Sequence, residues 1–224
     1  MRHRTERERE SNALSGFAKR SAWTALIATG LMLTACGGGG GGDSGGGSGG
    51  GGSKISLASI DAYFPSFDET NLTVGEIRSN KEYEPVSATK ISSFITYLTT
   101  NSFVMSGGGI YTKSNVATGV NARVEIDTDD IELYLISTST THDEHNDALF
   151  ATVYGTIEAD VVNVHRRKNY TSDATSNFNN YAALLQSKGM NCHKSIGWDC
   201  EKWVNGLEYS WETYGNSAEW SVDK

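Results

Sequence analysis

Proline is almost missing from this chain, with only Pro65 and Pro85 in 224 residues. No proline-rich linker divides it, and no second domain boundary can be placed inside the folded part. Cysteine is nearly as scarce: Cys36, Cys192 and Cys200 are all there are. Seven residues separate the last two, which fits neither a redox C-x-x-C pair nor the usual zinc spacings. No apolar run is long enough to cross a bilayer as a helix, which needs about 20 residues. The best candidate, Ala22 to Leu33, stops well short. Positive charge is also in deficit. After residue 35 the chain carries 13 Lys/Arg against 24 Asp/Glu, a net charge near −11. That opposes contact with nucleic-acid phosphates and with anionic lipid surfaces, and points instead to a well-solvated surface. G-x-S-x-G occurs only inside the glycine run, as Gly42-Asp43-Ser44-Gly45-Gly46 and Gly46-Gly47-Ser48-Gly49-Gly50, without the strand and helix that a nucleophile elbow needs. "DTDD", Asp127 to Asp130, lacks the twelve-residue frame of a calcium loop.

What is present begins at the amino end. Lys19 and Arg20 precede the uncharged apolar segment, and Leu33-Thr34-Ala35-Cys36 follows it. A basic segment, about a dozen apolar residues and a small-residue site make an export signal. With a cysteine at its end the site fits a lipobox, and in this respect the chain resembles bacterial lipoproteins. The resemblance implies a signal peptide over residues 1–35, lipid on the Cys36 thiol and acylation of the new amino terminus. Stable anchoring needs more than one acyl chain. It also implies residence at the bacterial outer membrane, facing the periplasm or the cell surface. Residues 37–53 are only Gly, Ser and one Asp. With no side chains to bury they form a flexible tether of roughly 20–25 Å r.m.s. span. A phosphate-cradling glycine loop would need a strand before it and a helix after.

Residues 54–224 make one domain's worth of chain, in which no internal repeat is visible. Residues 54–86 are mixed and resist assignment. Ser87 is a plausible cap for a helix over Ala88 to Thr99, with Ile91, Phe94, Ile95 and Leu98 at helical spacing. Val120 to Ile126 and Ile131 to Leu135 alternate around "DTDD" and predict a β-hairpin. Leu149, Ala151, Val153, Gly155 and Ile157, then Ala159, Val161 and Val164, read as one strand bent at Gly155 or as two strands, a bulge at Gly155 being the simplest account. Asp173 caps a second helix carrying Phe178, Tyr181, Leu184 and Leu185, with Gly189 past its end. Leu207, Tyr209 and Trp211 alternate into a last strand. Cys192 and Cys200 are expected to form a disulfide, as cysteine pairs in exported domains do. The expected fold is α+β: an antiparallel sheet of about four to six strands, two main helices and one disulfide.

Two clusters are candidates for function. "THDEHND" places His142, Asp143, Glu144, His145 and Asp147 within six positions, a donor set suited to zinc or another divalent ion. A solvated loop between two strands explains it equally. The last 27 residues hold Trp198, Trp203, Trp211 and Trp220 beside Tyr209 and Tyr214. Such rings suit a protein or glycan surface, or they pack a core. The expected function is a membrane-anchored binding domain whose partner is an envelope or extracellular protein or glycan, without nucleic acid and without a cofactor other than the covalent lipid. An accessory subunit of an envelope assembly and an exported enzyme with a metal in the His142–Asp147 loop are the alternatives.

Overall fold

The computed structural model describes residues 54–138 and 145–224. Their order is α1 (Leu57–Tyr63), β1 (Val74–Tyr83), α2 (Ala88–Thr100), β2 (Val104–Gly107), β3 (Ile110–Ala117), β4 (Val120–Ile126) and β5 (Ile131–Ser137). Then come α3 (Asp147–Tyr154), β6 (Val161–Tyr170), α4 (Thr175–Ser187), β7 (Asn191–Lys194), β8 (Trp198–Val204), β9 (Leu207–Tyr214) and β10 (Ser217–Asp223). All the strands lie in one sheet, ordered β2-β3-β4-β5-β1-β6-β10-β9-β8-β7, and every pairing is antiparallel. The expectation of four to six strands and two main helices is therefore wrong: the described residues hold ten strands in the sheet and four helices.

The chain repeats itself in three dimensions where the sequence shows no repeat. Helix, strand, helix and a four-stranded meander occur once up to Ser137 and again from Asp147. β1 and β6 meet at the centre, and each half extends outward from them. Both central strands are ten residues long and end in Lys-x-Tyr, at Lys81-Glu82-Tyr83 and Lys168-Asn169-Tyr170. α2 and α4 are thirteen residues each. They bury the fourth, seventh and eleventh positions, as Ile91, Phe94 and Leu98 in one and Phe178, Tyr181 and Leu185 in the other. That i, i+3, i+7 stripe is the helix face a sheet can cover. Each meander also turns on a glycine that admits no side chain. A Cβ at Gly109 would lie 2.3 Å from the Ile126 carbonyl oxygen, and one at Gly197 would lie 1.7 Å from that of Thr213.

The helices pack on one face. α1 lies over β6 and β10, and α4 over β7 and β8. Lys81, on the same face of β1, reaches Asp147 of α3 at 2.5 Å and the ring of Phe150. Tyr97 of α2 donates to the Val153 carbonyl of α3 at 3.3 Å. Beneath them Ile77, Leu133, Leu135, Val164, Trp211 and Val222 are all at most 1% exposed.

The segment around Leu149 is a second correction. It is helix α3, not a bent strand. Asn146 accepts from the Leu149 amide at its start, and Gly155, at φ 68°, ends it. Phe150, Val153 and Tyr154 are buried at i, i+3, i+4, so helical burial overrides the alternation of Leu149, Ala151 and Val153. Nearby, "NCHKSIGWDC" is a tight hairpin in which Cys192 and Cys200 pair directly across β7 and β8. They form the expected disulfide, with Cα atoms 3.9 Å apart.

Candidate functional site

With every helix on one side, the other face of the sheet is covered by no described element, and its side chains follow from the register. Glu125 of β4 stands opposite Glu132 of β5, and Glu132 opposite Glu82 of β1. Glu82 faces Asn163 of β6, which faces Asp223 of β10, which faces Glu208 of β9 and then Trp203 of β8. One row thus crosses seven adjacent strands and carries five carboxylates. Strands lie about 4.8 Å apart, so the row is roughly 29 Å long. Four positions along, a parallel row reads Arg78, Arg167, Glu219, Glu212 and Asp199. Between them run Tyr134, Asn80 and His165.

Five pairs of carboxylates are directly opposed: 125/132, 132/82, 223/208, 219/212 and 212/199. Like charges at opposed positions destabilise a sheet. Burial, then Glu132, Asp130, Glu84 and Asp223, push the Glu82 carboxyl up to about 7. Burial, then Asp199, Glu219, Asp223 and Glu208, push Glu212 up to about 7 as well. Asp223 is raised chiefly by burial, against hydrogen bonds from Asn163 and Ser221. Cations are present on this face, but of the row's five carboxylates they pair only with Glu125. Arg123 pairs with Glu125 at 2.8 Å, Arg78 with Glu76 at 3.5 Å, and Arg167 bonds Asn169 and Ser217. Among the described residues, Glu82, Glu132, Glu208, Glu212 and Asp223 take part in no ion pair.

The sequence candidates are divided by this arrangement. Trp211 and Trp220 are 0% and 6% exposed, opposite one another on the helix side and packed on Tyr181. Tyr209 is half-buried and stacks on Tyr63 of α1. Trp198 donates its indole N–H to Asn179. These four rings serve the helix–sheet interface. Trp203 and Tyr214, 61% and 70% exposed, belong to the uncovered face. Of the metal candidates, His142, Asp143 and Glu144 lie outside the described residues. His145 is fully buried with Nδ1 3.2 Å from Ser79 Oγ. Asp147 holds Lys81 and accepts from the Leu57 and Ala58 amides at 3.2 Å, capping α1. Burial raises the Asp147 carboxyl, but Lys81 and those amides outweigh it and hold it low. No group of three or more His, Cys, Asp or Glu converges as a metal site among the described residues. Cys36 also lies outside them.

Two depressions flank α1 on the helix side, about 380 and 290 Å³ in volume. The cations of the smaller one are already matched, Arg166 to Asp61 at 2.5 Å and Lys168 to Glu69 at 2.9 Å. The carboxylate rows were not singled out from sequence. Their signal was there in part, since "IELYL" and "GLEYSWETY" place Glu in the polar phase of an alternating run, but which strands lie side by side was not readable. No protein family, curated protein or solved structure matches this chain. No described helix is long and apolar enough to cross a membrane.

Proposed function

We propose that this protein is a lipid-anchored lipoprotein of the bacterial outer membrane whose domain, held on the Gly/Ser tether, binds another envelope or extracellular molecule. The anchor rests on the signal and on Leu33-Thr34-Ala35-Cys36. The binding role rests on one observation. A ten-stranded sheet carries all four described helices on one face and leaves the other open, with opposed, half-buried carboxylates that cost the fold stability. A surface serving solubility alone gains nothing from pairing like charges in this way.

Cys36→Ser is the test of the anchor. The wild-type protein sediments with membranes and carries acyl groups, whereas the variant leaves the membrane fraction. Membrane retention of Cys36→Ser would overturn the lipidated reading. Protease treatment of intact cells then separates a surface-facing domain, which is cut, from a periplasmic one, which is protected. For the binding role, crosslinkers introduced at Trp203 or Tyr214 capture an envelope molecule, while crosslinkers at Ile196, exposed at the β7–β8 turn, do not.

A further inference from the structure

We propose that the uncovered sheet face is a docking site for a cationic, extended protein segment that lies along the carboxylate row from Glu125 to Glu208. This deepens the binding role proposed above and rests on it.

Three observations define the occupant. Charge comes first. The row presents five carboxylates across seven strands, and four of them, Glu132, Glu82, Asp223 and Glu208, have no ion pair among the described residues. Cations laid between opposed carboxylates relieve the repulsion that the folded domain otherwise carries. Second, Asn80 is only 2% exposed, and its Oδ1 is buried without a hydrogen-bond partner. It sits two residues from Glu82 on the same face, between Tyr134 and His165. A buried acceptor left open beside carboxylates calls for a donor, which ammonium and guanidinium groups supply and anions or plain hydrocarbons do not. Third, the carboxylates are strung out in a line and do not converge. A line of roughly 29 Å matches about nine residues of extended chain, with alternate side chains facing the row. It does not match the compact oxygen cage of a divalent ion. Trp203 stands at the far end of the row, 61% exposed, where a ring face can take an arginine or lysine.

The probe is a nine-residue peptide of alternating lysine and serine, titrated into the full-length protein in detergent at low ionic strength. Saturable one-to-one binding is expected, weakening as salt is raised. Glu82→Gln with Glu132→Gln weakens it roughly tenfold. Glu158→Gln with Asp173→Asn removes the same charge away from the row and changes it less than about twofold. The row variant relieves repulsion, so its melting temperature stays level or rises, and weaker binding is then not lost folding. No binding by the wild type, an equal loss in both variants, or calcium binding in place of the peptide overturns the proposal. Neither variant touches the tether or Cys36. Failure here, with the face still crosslinking an envelope molecule, strikes the cationic partner and leaves the anchored binding domain standing.

Discussion

The two halves of the sheet share an order of elements but are filled and finished differently. In the first, the strands bury mainly aliphatic side chains, Ile77, Val124, Leu133 and Leu135, and aromatic rings come mainly from the helices over them, Phe94 of its own α2 and Phe150 and Tyr154 of α3, the helix that opens the second repeat. In the second, Trp211 and Trp220 sit on the strands against Phe178 and Tyr181 of α4. Their outer edges differ as well. β2 ends the first half with every residue exposed, Val104 at 66% and Met105 at 62%. β7, which carries His193 and Lys194, ends the second and is pinned to β8 by the disulfide. One topology therefore tolerates two core chemistries, provided the helix stripe and the glycine turns are kept. The aromatic cluster at the carboxyl end is mostly how the second half fills its interior.

The largest test of this contrast is truncation of the two cores. Trp211→Ala is expected to cost about 4 kcal/mol and Leu133→Ala about 3 kcal/mol. Because β1 and β6 join the halves through nine paired positions, both variants should unfold in a single transition by denaturant titration. A Trp211→Ala protein that melts in two steps, with the first half still folded, would show the halves to be separate units.

The edges come next. Closing the short Cys192–Cys200 loop contributes on the order of 2.5 kcal/mol in the chain-entropy model. Cys192→Ser with Cys200→Ser should lower stability by about that amount. It should also speed amide exchange in β7 toward that of β2, while leaving β2 unchanged. Equal exchange in the two edges before mutation would remove the distinction.

How much of this was readable in the sequence depended on where the charges go. The helix from Ala88 and the hairpin around "DTDD" were legible because their apolar residues face one core at the expected periods. So was the helix ending before Gly189, whose φ is 80°. Of the central strands β1 was not, and β6 was only at its start, Val161 to Val164. β1 and β6 bear Lys81, Arg166 and Lys168 on the face that meets the helices, each answered by an acid, Asp147, Asp61 or Glu69. An inward-facing charge matched by a distant partner erases the alternation that marks a strand. The sheet was therefore undercounted and its middle largely missed. α3 had its signals, an Asn146 cap and Gly155, but alternation over a short apolar run outweighed them. The site was illegible for another reason: opposed carboxylates are a property of register, and register is set between positions as distant in sequence as Val74 and Tyr170.

The smallest effect is the one the halves should share. Glu82 belongs to the first and Glu212 to the second, and burial with neighbouring carboxylates pushes both up to about 7. In the unfolded chain a glutamate titrates near 4.3. Between those values the folded domain holds protons that the unfolded chain has released, so stability falls as pH rises and the loss is complete above about 7. At pH 8, Glu82→Gln and Glu212→Gln should each gain roughly 1 kcal/mol after allowance for solvent screening, a rise of about 2–4 °C in Tm. At pH 4 neither should change it. Asp223 presses on both glutamates, so Asp223→Asn should lower both midpoints, as followed by NMR titration of the two carboxyls. If it moves only one, the row is broken at β6, and the two halves of the face act as separate acidic patches rather than as one continuous track.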